Sequence, residues 1–223
     1  MELKGKRILL TGATGGIGHE LAFKLNSQGA ELILVGRNEH RLKLVSDKLT
    51  NAHIIKADIS TEQGLQTLIS ALADVQLDGV INAAGLNQFS TLNKTDKNKI
   101  AQMLDTNLLA PMYITQALLA KLKSRPSAFI LNVGSTFGSI GFAGYSAYCA
   151  TKFGLRGFSE SLRRELSGTS VKVLYIAPRA TKTDMNSEQV TQMNLDLGVQ
   201  MDSPIIVAQQ IIDAIKRDKE ESY

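Results

Sequence analysis

The stretch "TGATGGIG", residues 11–18, joins two segments of different character near the start of the chain. The apolar run "RILL" (7–10) before it predicts a buried strand, and "IGHELAFKLNSQGA" (17–30) has apolar residues at helical spacing. Its glycines either serve a plain surface turn or let the backbone approach another group closely. The segments that follow along the chain decide between these interpretations.

The alternation of strand and helix continues to the end of the chain. Five further apolar runs predict strands, at 31–36, 52–57, 77–85, 127–135 and 170–178. Helices are predicted over 39–49, 61–73, 95–123, 146–166 and 204–217, with Pro111 expected to kink or break the third of these. This order predicts an α/β fold, a doubly wound, Rossmann-like parallel sheet of six or seven strands between two helical layers. We expect one domain over residues 1–223.

Composition narrows the class of protein further. Hydrophobic residues make up 43% of the 223 residues, charged residues 21%, and the net charge is +4, as in ordinary globular proteins. Scattered basic residues with few aromatics among them argue against a nucleic-acid partner. A single cysteine, no run long enough for a membrane helix and no signal-peptide pattern predict a cytoplasmic protein. No metal site is expected, because the histidines lie far apart at 19, 40 and 53.

The glycine loop gains meaning from this context. In a doubly wound sheet, the first strand–loop–helix unit is where a dinucleotide binds, because the helix N-terminus attracts its pyrophosphate. The spacing T-G-x-x-x-G-x-G alone is a weak indicator. Two further motifs follow in order, "NAAG" (82–85) after the fourth strand and "YCATK" (148–152) at the start of a helix. With these motifs the chain resembles the short-chain dehydrogenase/reductase family over roughly residues 4–217.

Four side chains are candidates for catalysis: Ser135, Tyr148, Lys152 and Asn107. Tyr148 and Lys152 are four residues apart and leave one face of a helix, so we expect the ammonium to lower the pKa of the phenol. A surface Tyr–Lys pair without a chemical role is the alternative. Ser135 ends the fifth strand, and the resemblance implies that it binds a substrate carbonyl while Tyr148 donates the proton and Lys152 assists. We expect Tyr145 to line the pocket and Cys149 to be a packed small residue.

The resemblance also assigns supporting and cofactor-binding residues. Asn107 matches the asparagine that bends the fourth main helix and supports a water-linked proton path. Asp58 matches a carboxylate that contacts adenine, Asn82 ties strands together, and Thr183 holds the nicotinamide carboxamide. The full set of implied cofactor contacts is Gly12, Thr14, Gly15, Gly16, Ile17, Gly18, Arg37, Asp58, Ile59, Asn82, Ala83, Ala84, Gly85, Tyr148, Lys152, Pro178, Thr181 and Thr183.

The end of the second strand, "LILVGRNEH" (32–40), bears on cofactor preference. An NAD site usually places an acid there, but Gly36 takes that position, and the guanidinium of Arg37 suits the 2′-phosphate of NADP. We therefore expect NADP(H), with NAD(H) as the alternative. Two features complicate this expectation: the glycine loop contains no second basic residue, and Glu39 lies nearby.

The C-terminal part departs from the family pattern. Arg179 stands where a glycine is common, and it either meets an anionic substrate or forms an internal ion pair, which we favour. A seventh strand is expected to be missing or to lie beyond residue 223. The segment 184–203 is expected to form a substrate lid, and its Val, Leu and Met side chains suggest an apolar substrate.

These observations predict an NADP(H)-dependent oxidoreductase that interconverts a carbonyl and a secondary alcohol by hydride transfer. The resemblance implies a small-molecule substrate and a homodimer or homotetramer. Two alternatives remain open. One is an NADP-binding redox sensor without catalysis, and the other is a sugar-nucleotide epimerase or dehydratase, which uses a similar Tyr-x-x-x-Lys pair.

Overall fold

The computed structural model describes residues 1–223. Seven parallel strands form one sheet in the order β3-β2-β1-β4-β5-β6-β7. The strands are β1 (Arg7–Thr11), β2 (Glu31–Gly36), β3 (Ala52–Lys56), β4 (Gly79–Asn82), β5 (Ala128–Val133), β6 (Val171–Ile176) and β7 (Glu221–Ser222). Every neighbouring pair is parallel, so all carboxyl ends meet at one edge. The predicted doubly wound α/β fold is confirmed.

Eight α-helices cover the two faces of the sheet. They are α1 (Gly16–Ser27), α2 (Glu39–Ser46), α3 (Glu62–Ala71), α4 (Lys97–Leu104), α5 (Ala110–Lys123), α6 (Ser146–Glu165), α7 (Glu188–Asp196) and α8 (Pro204–Lys216). Five of these helices start after a residue whose side chain accepts a hydrogen bond from a first-turn N–H: Asn38, Thr61, Asp96, Ser187 and Ser203. None of the helices has both the length and the apolar character that crossing a bilayer requires.

An apolar cluster fills the space on each face of the sheet. In β1, Ile8 and Leu10 enter the cluster that packs under α1 and α8, whereas Leu9 enters the one under α3 and α5. Successive strand residues point to opposite faces, and so both faces bury apolar side chains. This double burial explains why the strands read as continuous Ile, Leu and Val runs.

Two segments differ from the simplest sequence interpretation. The long helix predicted over 95–123 is interrupted by a π-helical turn, Asp105–Leu109, because Pro111 in the first turn of α5 lacks an N–H. The expectation of a missing seventh strand is wrong, since β7 pairs Glu221 with Tyr175 and Ser222 with Ile176. A two-residue strand is too short to show a periodic pattern in the sequence.

Candidate active site

The glycine loop after β1 is packed directly against the "NAAG" turn after β4. Gly12 has a φ of +71°, and a Cβ on it would lie 2.7 Å from the Cα of Ala84. The hydroxyl of Thr11 accepts hydrogen bonds from the N–H groups of Ala83 (3.1 Å) and Ala84 (3.2 Å). The packed glycine loop therefore forms one side of a crevice at the carboxyl edge of the sheet. Thr11 was absent from the sequence-derived site, although it opens the quoted motif.

The start of α1 is suited to an anion. Gly15 precedes the helix and supplies no side-chain hydrogen bond to its first turn, so the first N–H groups and the partial positive charge of α1 face the crevice. Thr183 lies across the loop, with its Cγ2 2.6 Å from the position that a Cβ on Gly16 would take. These residues can hold the pyrophosphate of a dinucleotide beneath the segment that follows β6.

Arginines from the end of β2 and from α2 flank the adenosine side of the crevice. Arg37 is exposed directly after β2, and Arg41 donates from Nη2 to the carbonyl of Thr14 in the glycine loop at 3.3 Å. The carboxylate of Glu39 is engaged by two lysines, Lys43 at 4.0 Å and Lys56 at 3.8 Å. Arg41 thus brings a second cation to the loop. Sequence reasoning missed Arg41, which lies in the first turn of α2 three residues after the N-cap Asn38.

Asp58 lies two residues after the carboxyl end of β3. Its Oδ1 accepts hydrogen bonds from the Ser60 N–H (3.1 Å) and hydroxyl (2.7 Å), while Thr61 caps α3. The Asp58 carboxylate is therefore oriented by its own turn, and Oδ2 is left for another donor.

Ser135 and Lys152 meet Tyr148 at the carboxyl end of β5. The Ser135 hydroxyl accepts a hydrogen bond from the Phe137 N–H at 3.1 Å. Lys152 donates from Nζ to the carbonyl of Val133 at 2.9 Å, and this Nζ lies 5.7 Å from the centroid of the Tyr148 ring. A hydrogen bond links Ser135 to the phenol, and the position of a Cβ on Gly85 in the "NAAG" turn is 3.8 Å from the same Nζ, so a hydroxyl, a phenol and an ammonium are gathered beside the crevice.

Burial dominates the electrostatics of this group. It raises the pKa of Tyr148 to about 12, and a hydrogen bond with Ser135 opposes the rise. It also lowers the pKa of Lys152 to about 8. The expected net lowering of the phenol pKa is not found in the chain by itself, because desolvation outweighs the hydrogen bond that favours the phenolate. At neutral pH the phenol keeps its proton and is the acid form.

Asn107 lies in the π-helical turn and holds neighbouring segments together. Its Oδ1 accepts from the Leu86 N–H at 2.7 Å, and its Nδ2 donates to the Leu86 carbonyl at 2.8 Å and to the Thr151 hydroxyl at 3.1 Å. The predicted bend is present at this residue. Both amide protons are committed to the chain, so the side chain positions the loop after Gly85 against α6 and has no proton left to offer.

Asn82 has the strand-tying role that the resemblance implied. Its Nδ2 donates to Oδ1 of Asn132 in β5 at 2.8 Å, and Asn132 donates to the Ser159 hydroxyl of α6 at 2.8 Å. All three residues are buried. The chain of bonds fixes β4, β5 and α6 relative to one another under the site.

Tyr175 on β6 contacts the backbone of Ser135, and sequence reasoning missed this residue. Its hydroxyl donates to the Ser135 carbonyl at 3.5 Å, and a Cβ on Gly134 would lie 2.2 Å from the same hydroxyl. A Cβ on Gly138 would lie 2.4 Å from it. The two glycines on either side of Ser135 were the available signal, since closely spaced glycines indicate that another group approaches the backbone.

The two ends of the segment 184–203 are held together by contacts between residues 179–182 and Asp202. Arg179 forms the ion pair that the sequence favoured, from Nη2 and Nε to the two carboxylate oxygens of Asp202 at 2.9 and 3.3 Å. The backbone adds bonds from the N–H of Lys182 to the Asp202 carbonyl (2.9 Å) and from the N–H of Asp202 to that of Ala180 (2.8 Å). The apolar residues of this segment fall into two groups. Val190 and Met193 pack near Tyr148, whereas four others are exposed to solvent: Met185, Leu195, Leu197 and Val199.

The family model for short chain dehydrogenase matches residues 6–194, a span that includes the glycine loop, the "NAAG" turn, Ser135, Tyr148 and Lys152. The chain belongs to the short-chain dehydrogenase family. It is therefore an oxidoreductase by family, with the Rossmann-like fold that these enzymes share.

The sequence of this short-chain dehydrogenase is similar to those of several bacterial and mammalian oxidoreductases. An uncharacterized oxidoreductase of Staphylococcus epidermidis is 34% identical over 187 residues, 82% of this chain and 81% of the relative. A 3-oxoacyl-[acyl-carrier-protein] reductase of Mus musculus is 34% identical over 193 residues, 84% and 81% of the two chains. An NADP-dependent 3-hydroxy acid dehydrogenase of Escherichia coli is 34% identical over 175 residues, 77% and 71%.

Solved structures agree on the fold. The closed form of a serine dehydrogenase complexed with NADP+ has a TM-score of 0.84 at 28% identity. The match covers 92% of this chain and 87% of the serine dehydrogenase chain. A short-chain dehydrogenase from Burkholderia phymatum in complex with NAD has a TM-score of 0.89 at 21% identity, with 99% and 89% coverage. Both nicotinamide dinucleotides thus occur among the structural neighbours.

Proposed function

We propose that this short-chain dehydrogenase is an NADP(H)-dependent enzyme that interconverts a carbonyl and a secondary alcohol. The observation that carries the proposal is the meeting of Ser135, Tyr148 and Lys152 beside the crevice of the glycine loop. A bound nicotinamide supplies or accepts the hydride. The glycine loop, the start of α1 and Thr183 are the groups that we propose to hold the cofactor.

The chain's own groups account for the proton. The Ser135 hydroxyl accepts from the Phe137 N–H, and we propose that its O–H, which acts on the Tyr148 phenol in the chain by itself, donates to the oxygen of a bound carbonyl. Tyr148, protonated at neutral pH, donates its proton to that oxygen as the alcohol forms. Lys152 with a pKa of about 8 is mostly charged at pH 7, and its ammonium stabilises the phenolate that remains.

Preference for NADP(H) rests on charge around the crevice. Arg37 is exposed, Arg41 reaches the glycine loop, and the acid between them is paired with lysines. A 2′-phosphate would meet two guanidinium groups there and no free carboxylate. We include in the proposal the assigned contacts from Gly12 to Gly18 and from Pro178 to Thr183.

Exposed apolar side chains support the proposed homodimer or homotetramer. Leu104, Tyr113 and Phe153 are 37%, 49% and 45% exposed and lie on α4, α5 and α6, the helices that we propose form the interface. Light scattering at micromolar concentration tests this, and a monomer there would contradict it.

Tyr148→Phe tests the central assignment. Loss of the proton donor should lower kcat for NADPH-dependent carbonyl reduction by roughly 10²- to 10⁴-fold, with the Kd for NADPH, measured by fluorescence, nearly unchanged. Tyr223→Phe, at an exposed tyrosine outside the site and the proposed interface, is the matched control. Retained turnover in Tyr148→Phe would refute the role of this phenol. Tight NADPH binding without turnover over a broad carbonyl panel would instead support a redox sensor.

A further inference from the structure

Aromatic residues are scarce in this chain, yet they gather beside Tyr148. The sequence has seven Phe, five Tyr and no Trp. Five of these twelve rings form one cluster, which we call the aromatic wall: Phe89, Phe137, Phe142, Tyr145 and Tyr148. The wall draws on four separate parts of the chain, the loop after β4, the turn after β5, the loop before α6 and α6 itself.

Tyr145 is the centre of the aromatic wall, since its ring pairs with all four others, and Phe137 pairs with three rings of the wall. The Phe137 ring centroid lies 5.3 Å from that of Phe142 in a stacked arrangement, 5.1 Å from Tyr145 and 6.4 Å from Tyr148, whose ring it meets edge-on. Tyr145 is buried, which corrects the expectation that it lines the pocket, while Phe89, Phe137 and Phe142 are half-buried. The three half-buried rings therefore expose part of their surface beside the proton donor.

The wall is tied to the group that binds the carbonyl. Phe137 is two residues after Ser135, and its N–H donates to the Ser135 hydroxyl. This hydrogen bond holds the backbone that carries the Phe137 ring against that hydroxyl. A carbonyl held between Ser135 and Tyr148 would place its substituents next to these rings. An aromatic substituent would add stacked or edge-on ring contacts to the burial of its apolar surface.

Charge around the wall disfavours an anionic substrate. The lid residues that pack against it, Val190 and Met193, are uncharged. The whole segment 184–203 contains four acidic residues and no lysine or arginine: Asp184, Glu188, Asp196 and Asp202. Arg179, at its base, is engaged by Asp202. The lid therefore offers neither a lysine nor an arginine to a carboxylate or a phosphate on the substrate, whereas its uncharged Val190 and Met193 suit an apolar group.

We propose that the substrate is a neutral aryl ketone, or the corresponding secondary alcohol, whose ring packs on Phe137 and Phe142. This inference rests on the proposed function of the same site. In the reductive direction the carbonyl carbon receives a hydride from the reduced nicotinamide, which is thereby oxidised. The carbonyl oxygen receives the Tyr148 proton, and the C=O double bond becomes a C–O single bond.

A set of four ketones tests the proposal in the full-length protein with NADPH. Acetophenone carries the aryl group, cyclohexyl methyl ketone has the same size without a π-system, acetoacetate is anionic, and the N-acetylcysteamine thioester of acetoacetate is neutral and aliphatic. We expect acetophenone to have the highest kcat/KM, by roughly 2- to 12-fold over its cyclohexyl analogue, as one aromatic contact contributes. We expect acetoacetate to be the poorest substrate.

Phe137→Leu and Phe142→Leu should each bring the acetophenone to cyclohexyl ratio toward one. Phe23→Leu, in α1 away from the wall, is the matched control and should leave this ratio unchanged. Thermal melting identifies any variant that fails to fold, and the other wall variant then supplies the result. Preference for the thioester, for acetoacetate or for the cyclohexyl ketone would overturn the proposal while keeping the oxidoreductase function. No turnover of any of the four would overturn both.

Discussion

Replacing Lys152 by Met should stabilise the cofactor-free protein even though it removes a group that the proposed reaction needs. Burial lowers the pKa of this lysine from 10.5 to about 8. At about 1.4 kcal/mol per pKa unit, holding the ammonium in the folded chain at pH 7 costs about 3 kcal/mol. Met also forfeits the hydrogen bond to the Val133 carbonyl, about 1 kcal/mol. The net gain in the free energy of unfolding is about 2 kcal/mol.

The gain should depend on pH in a defined direction. Below pH 8 the ammonium is charged in both the folded and the unfolded chain, so the full cost of burying it is present. As the pH rises from 8 towards 10.5, the folded chain loses the proton first, and the cost falls to about 1 kcal/mol at pH 10. The advantage of Met should therefore be nearly gone at pH 10.

Urea unfolding at pH 7 and pH 10 measures both quantities, with m-values compared to exclude a change in the unfolded state. Lys172→Met is the matched control, since Lys172 is exposed on β6 and its replacement should change the free energy of unfolding by less than about 0.5 kcal/mol. A Lys152→Met variant that is less stable than the wild type by the same amount at both pH values would refute the reasoning.

Two further substitutions probe the surroundings of the site. Gly134→Ala should destabilise the protein by about 1–3 kcal/mol in urea unfolding, because its Cβ would lie 2.2 Å from the Tyr175 hydroxyl, whereas Gly141→Ala, with no atom within 4 Å, should be nearly neutral. Arg37→Ala and Arg41→Ala should each lower the ratio of kcat/KM for NADPH over NADH by roughly 10-fold or more, as loss of a charged hydrogen bond implies. An unchanged ratio in both arginine variants would contradict the proposed 2′-phosphate contacts.

The fold was largely predictable because its determinants are local. β2 was expected at 31–36 and is found at Glu31–Gly36, since a strand buried on both faces must be a continuous apolar run. Pro111 marked the interruption of the long helix, because a missing N–H acts within one turn. The positions of Ser135 and Tyr148 at one sheet edge followed from the parallel topology.

The rest depends on contacts between distant parts of the chain. β7 has only two residues and is defined by its pairing with β6. Arg41 becomes relevant because α2 brings it against the Thr14 carbonyl. The pKa of Tyr148 reflects a balance between burial and hydrogen bonding that spacing alone does not reveal. Residue identity showed which groups were present, but their desolvation is a property of the packed molecule.

The ion pair between Arg179 and Asp202 places the two ends of the segment between them next to each other. A loop anchored in this way can be exchanged for another of different length at a small entropic cost, because closure grows only slowly with length. Grafts within residues 184–201 that keep Val190 and Met193 packed near Tyr148 should therefore change which molecules enter the site while leaving Ser135, Tyr148 and Lys152 in place. Selectivity and chemistry are thus separable engineering targets in this scaffold.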